Sequence, residues 1–208
     1  MRKVLLLVAA LTAFVLVGIA SAAKPKPATV TISVARPTVV YGGSVKLSGA
    51  VSNRQAGESV TVLGRQNGTT AFTQVSVVTT TAKGAWSYTA SPQIQTSYQA
   101  RFGAVTSRVV DVKVRPRISL SLVSRTATRG TFSVQVSGNR PFTGKRVLIE
   151  RLTRSGSATV KSAKLNAASS ASFTIRLPRH RARVRVVMST SQAAPGYIAG
   201  YSNVWKSS

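Results

Sequence analysis

From Ala28 onward, apolar and polar residues alternate with a period of two, and this pattern limits the possible folds more than any other feature of the chain. Val30, Ile32 and Val34 fall on one face of an extended segment and Thr29, Thr31 and Ser33 on the other, the signature of a half-buried strand. The alternation recurs at Val45 and Leu47, at Val60 and Val62, at Trp86 and Tyr88, at Tyr98, Ala100 and Phe102, and at Val110, Val112 and Val114. Turn signals separate these runs: Gly42-Gly43, Ala56-Gly57, Asn67-Gly68, Lys83-Gly84 and Ser91-Pro92. Short strands broken at this spacing predict an all-β sandwich or barrel.

The second half repeats the first at an offset of about 87 residues. Gly43-Ser44-Val45 answers to Gly130-Thr131-Phe132, Gly57 to Gly144, Val60 and Val62 to Val147 and Ile149, Trp86 to Phe173, and Pro92 to Pro178. Ser48-Gly49 recurs two residues out of step as Ser137-Gly138, as a bulge or a longer strand would produce. Two copies of one β-sandwich are therefore expected, at residues 28–115 and 118–208, with residues 116–117 as the link. So short a link, with a proline in it, restricts the angle between the copies. Trp86 and Phe173 are expected at equivalent core positions.

Val-Tyr-Gly-Gly-Ser-Val-Lys-Leu-Ser-Gly (40–49), Gly-Ala-Trp-Ser-Tyr (84–88), Tyr-Gln-Ala-Arg-Phe (98–102) and Ala-Pro-Gly-Tyr-Ile-Ala-Gly-Tyr-Ser-Asn-Val (194–204) resemble bacterial Ig-like repeats of exported and cell-surface proteins. The resemblance covers nearly the whole chain after its first two dozen residues and implies two tandem immunoglobulin-like β-sandwiches. Its motifs mark turns and core positions, so they speak to fold rather than to function. Tyr98-Gln99-Ala100 also resembles the Tyr-x-Cys of antibody-type domains, with Ala where the cysteine would be; the second copy has Val184 near the Tyr98 position.

Residues 1–23 open on Met1-Arg2-Lys3, continue as an apolar run from Val4 to Ile19 and close on Ala20-Ser21-Ala22. These are the three parts of a secretory signal peptide, with cleavage expected before Ala23. The alternative, a retained anchor, asks for about 20 apolar residues. Residues 24–27, Lys-Pro-Lys-Pro, read as an extended spacer. The expected location is secreted or extracellular, in loose association with the cell envelope. Cysteine is absent, so packing alone must hold the fold.

The chain carries 29 Lys and Arg against three acids, a formal net charge of +26. Such a surface attracts polyanions of any kind and names a sign, not a partner. The acids, Glu58, Asp111 and Glu150, are too few and too dispersed for a paired-carboxylate mechanism. Glu58 and Glu150 are expected on exposed positions, which argues against a Lys–Asn crosslink beside a buried acid. His180, the single histidine, has no second histidine or nearby acid for a metal site or triad and reads as a strand residue. No nucleophile elbow, phosphate-cradling loop or calcium loop is present. Asn67-Gly68-Thr69 fits a glycosylation sequon but reads more simply as a hairpin turn. No enzyme, cofactor or metal is therefore expected.

One segment has the makings of a binding surface. Arg179, Arg181, Arg183 and Arg185 alternate with His180, Ala182, Val184 and Val186, which on a strand places four guanidinium groups on one face about 7 Å apart. With so few acids, intrachain ion pairs are not expected to neutralise them, and an anionic cell-wall polymer or membrane surface is the partner such a stripe suits. The alternative is a solvated face that needs no partner. Specific nucleic-acid binding is not expected, because no stacking aromatics interleave with the arginines. The leading functional expectation is a non-catalytic extracellular structural or binding module that spaces or adheres. A cationic polyanion-binding protein is the alternative, and an exported enzyme with an unrecognised site is the third.

Overall fold

The computed structural model describes residues 27–178 and 182–207. The predicted signal peptide and most of the spacer lie outside the described residues, as do Arg179, His180 and Arg181.

The chain is all-β. The first half supplies β1 (Ser33–Val34), β2 (Thr38–Val40), β3 (Val45–Ala50), β4 (Ser59–Gln66), β5 (Thr73–Thr79), β6 (Ala85–Ala90), β7 (Thr96–Phe102), β8 (Val105–Thr106) and β9 (Val110–Arg115). They form two sheets, a smaller one ordered β1-β3-β6 and a larger one ordered β2-β9-β7-β4-β5, with β8 paired to β7. The second half supplies β10 (Arg117–Arg125), β11 (Arg129–Ser137), β12 (Arg146–Leu152), β13 (Ser157–Lys164), β14 (Ser170–Arg176), β15 (Arg183–Met188), a single helical turn α1 (Thr190–Ala193), β16 (Gly200–Tyr201) and β17 (Trp205–Lys206). Here the smaller sheet is β10-β11-β14 and the larger is β13-β12-β15-β16, with β17 also on β15. Each half is thus a sandwich with the strand arrangement of the immunoglobulin-like fold.

The period-two pattern sets which side chains face inward. Val60 and Val62 on β4, and Val147 and Ile149 on β12, are fully buried, each gaining roughly 1.5–3 kcal/mol over an exposed position. The turns fall where glycine allows them: Gly57 and Gly144 both take a left-handed φ, 83° and 76°. Asn67-Gly68 forms the turn of the β4–β5 hairpin, with Thr69 N donating to Gln66 O at 3.0 Å.

The larger sheets keep the same register rung for rung, with offsets between equivalent residues of 85 to 87. Val62 faces Ala100 in the first, and Ile149 faces Val186 in the second. Even the bulge is repeated: Val62 faces Ser76 and Leu63 faces Gln74, skipping Val75, while Ile149 faces Lys161 and Glu150 faces Thr159, skipping Val160.

The smaller sheets do not keep it. Trp86 and Phe173 are both buried, yet Trp86 sits opposite Gly49 and Phe173 opposite Phe132. Phe132 answers to Val45, whose partner is Ala90, so the two aromatics occupy rungs four residues apart rather than equivalent ones. The physical reason is room. A Cβ on Gly49 would collide with the Thr31 carbonyl oxygen and approach the Trp86 ring at 2.8 Å, so glycine opens the space that the indole fills. Phe173 instead stacks on Phe132, ring centroids 5.7 Å apart, and Phe132 meets Trp205 edge-on at 5.1 Å.

Candidate functional site

The predicted arginine stripe is only partly within the described residues. β15 begins at Arg183, which is exposed, and Val184 and Val186 are buried, so the expected alternation holds along this strand. Arg185 departs from the expectation. Its Nη2 lies 2.7 Å from Glu150 Oε2 and its Nε donates to the same oxygen at 2.8 Å, so an intrachain ion pair does neutralise one of the four. Cross-strand register explains it, because β12 and β15 place Glu150 directly opposite Arg185. Glu150 is correspondingly not exposed: its side chain retains 15% of its accessible surface.

The other two acids are also engaged locally. Glu58 Oε2 accepts from Asn53 Nδ2 at 2.8 Å, and Asp111 Oδ1 accepts from Ser97 Oγ at 2.6 Å. Among the described residues no group of three or more His, Asp or Glu side chains comes together to hold a metal ion.

Outside the two cores, backbone and side-chain hydrogen bonds also gather at the junction between the sandwiches. Only Pro116 separates β9 from β10, so Arg117, expected in the link, already belongs to a strand. The segment from Ala193 to Gly200 folds back from the second sandwich onto the first. Gln95 N donates to Gly196 O at 2.9 Å, and Ile198 N donates to Val114 O at 2.9 Å. The buried Tyr197 hydroxyl accepts from Asn139 N at 2.6 Å and donates to Gln93 O at 2.6 Å, joining a loop of each half through one oxygen. Burial pushes the Tyr197 phenol up from its ordinary range, opposed by the bond from Asn139.

Arg140 sets this segment in place. Its Nη2 donates to Ala193 O and Ala194 O, both at 2.7 Å, and its guanidinium stands 5.0 Å from the Phe142 ring and 6.0 Å from that of Tyr197. Shape completes the contact. A Cβ on Gly200 would press on Pro116 at 2.8 Å, and one on Gly196 would collide with Ile94, so both glycines permit close approach. Arg115 Nη1 donates to Ala199 O, and Arg117 Nε donates to Tyr41 O at 3.1 Å.

None of these junction residues stood out in the sequence as a site. The one available signal was the run Ala-Pro-Gly-Tyr-Ile-Ala-Gly-Tyr, noted only as part of a family resemblance. Within the first core, Tyr98 is buried against Gly64, and desolvation, with Tyr88 nearby, pushes its phenol up to about 12 against a lowering bond from Thr96. Its counterpart Val184 faces Arg151, so the second sandwich has no tyrosine there.

No helix among the described residues is long and apolar enough to cross a membrane. No protein-family model and no curated protein matches the chain. Among solved structures, the chain is similar to a tetra-tandem repeat from the extending region of a large adhesion protein, at 12% identity and a TM-score of 0.36 over 86% of this chain and 49% of that one. It is also similar to Salmonella alpha-2-macroglobulin carrying the substitution Y1175G, at 11% identity and a TM-score of 0.33 over 86% of this chain and 14% of that one. The chain spans about half the length of the first of these and a small part of the second.

Proposed function

We propose that this chain is a non-catalytic, exported module of two Ig-like sandwiches that spaces or adheres at the cell envelope and holds its two ends at a fixed angle. The observation that carries this reading is the junction. A flexible tether needs only the covalent link, whereas here two backbone hydrogen bonds, the Tyr197 hydroxyl bridge and the Arg115 and Arg117 bonds all cross between the halves. Several polar bonds, most of them partly buried, hold the halves in one arrangement at once, which favours a single interdomain angle. Export rests on the signal-peptide pattern of residues 1–23.

The absence of cysteine makes the test direct, because a pair of spin labels can be introduced at Ser87→Cys and Ser172→Cys on exposed outer-face positions of the two smaller sheets. A single narrow distance distribution between the labels is expected. A broad one, as wide as a flexible linker gives, would overturn the spacer reading.

A further inference from the structure

We propose that the outer face of the larger sheet of the second sandwich binds a linear phosphate-bearing polymer, gripped at two Arg–Lys pairs. Cross-strand register places Arg183 directly opposite Lys206 and Arg146 directly opposite Lys164, and all four side chains are exposed. Directly opposed residues bring their Cβ atoms to about 5 Å, and like charges in that position destabilise a sheet. The larger sheet of the first sandwich avoids the arrangement: Arg65 faces Ser97, Arg101 faces Thr61, and Lys113 faces Thr38.

The single acid on this face of the second sandwich does not relieve either pair, because Glu150 is held by Arg185. Arg183–Lys206 lies one row of outward residues to one side of that ion pair, and Arg146–Lys164 lies two rows to the other. With two residues per row, the two cation pairs stand roughly 20 Å apart. Between them is Tyr201, 48% exposed, with Arg115 5.2 Å and Arg185 5.3 Å from its ring centroid.

This arrangement selects among anions. Each pair combines a guanidinium, which matches phosphate with two parallel hydrogen bonds, with an ammonium point charge that adds a third contact. A free phosphate satisfies one pair; only a chain long enough to span both relieves both. A bilayer is disfavoured because the large exposed apolar side chains of this sheet among the described residues are Tyr201 and the bulge residue Val160, too little to seat in lipid. Single-stranded nucleic acid is disfavoured for the related reason that one aromatic is not a stacking platform for successive bases.

A third opposed pair, Arg129 with Arg176, lies on the smaller sheet and supplies a control of equal charge. The full chain and two variants are titrated with a glycerol phosphate dodecamer and with the corresponding dimer, which is too short to span the pairs. One variant carries Arg146→Gln, Lys164→Gln, Arg183→Gln and Lys206→Gln; the other carries Arg101→Gln, Lys113→Gln, Arg129→Gln and Arg176→Gln. The dodecamer is expected to bind the unaltered chain at least about tenfold tighter than the dimer, and the first variant alone is expected to abolish that length preference. Equal losses in the two variants, or no length preference in the unaltered chain, would overturn the proposal. So would tighter binding of a thymidine dodecamer or of phosphatidylglycerol vesicles than of the glycerol phosphate dodecamer. If the fourfold variant fails to fold, Arg183→Gln with Lys206→Gln is read alone, and retention of the full length preference in that variant overturns the proposal.

Discussion

The two sandwiches share their larger sheets almost rung for rung and differ in their smaller ones. In the larger sheets Val62 and Ile149 hold equivalent rungs, and the β-bulge beside Val62 at Val75 recurs beside Ile149 at Val160. In the smaller sheets Trp86 is admitted by Gly49, while Phe173 stacks on Phe132 four rungs away. A second contrast is polar: the first core contains Tyr98 against Gly64 where the second has Val184 opposite Arg151. The lesson is that strand register in the shared sheet tolerates little change, because a slip of one residue turns every side chain to the wrong face. The position of a large aromatic is freer, provided a glycine or a second ring supplies complementary volume.

The strongest way to break this comparison is to empty each aromatic site. Trp86→Ala and Phe173→Ala should each cost about 3–5 kcal/mol, with hydrogen exchange lost first in the sandwich that carries the substitution. Simultaneous loss of protection in β3 and β11 in either variant would mean that the two halves unfold as one unit and that the comparison has no energetic content.

Tyr197→Phe tests what joins the halves. It leaves Asn139 N and Gln93 O without the shared oxygen, so a loss of about 1–3 kcal/mol is expected, read as a widening or splitting of the denaturant transition. An unchanged single transition would show that the remaining junction bonds suffice without it.

The Tyr98 contrast sharpens in alkali. Tyr98 holds its proton to about 12, whereas an unfolded tyrosine loses its own near 10, so the stabilising difference is complete below pH ~10 and is lost as pH rises toward 12. A fall on the order of 1–2 kcal/mol across that window is expected, borne by the first sandwich, and Tyr98→Phe should flatten it. A fall of equal size in the Tyr98→Phe variant would assign the alkaline loss to another group.

The smallest effect is expected where the halves agree. Val75→Thr and Val160→Thr place a hydroxyl at the exposed, unpaired bulge residue, and each should change stability by less than about 0.5 kcal/mol in denaturant titrations. A large loss in one alone would show that the two bulges are alike in register only.

Much of the fold was legible because a strand advertises its faces locally. Val30, Val45, Val60 and Val112 announce their burial through alternation with polar neighbours, and Gly57 and Gly144 announce turns through the conformations they permit. The same rule holds along the described part of β15, where buried Val184 and Val186 alternate with Arg183 and Arg185. What alternation does not report is the neighbouring strand. Glu150 is 35 residues from Arg185, and only register brings them within 2.7 Å. The same holds for Arg183 with Lys206 and for Tyr197 with Gln93, partners that no local spacing connects.

The sequence by itself therefore determined the class of fold, the duplication and the inward face of the strands that alternate clearly, such as β3, β4, β9, β12 and β15, because these follow from side-chain periodicity and turn chemistry within a few residues. Only the tertiary structure decided which charges meet, which aromatics share a core and how the halves are joined. Those outcomes depend on cross-strand register and on close approaches at Gly49, Gly196 and Gly200, where the absence of a Cβ lets a distant segment pack.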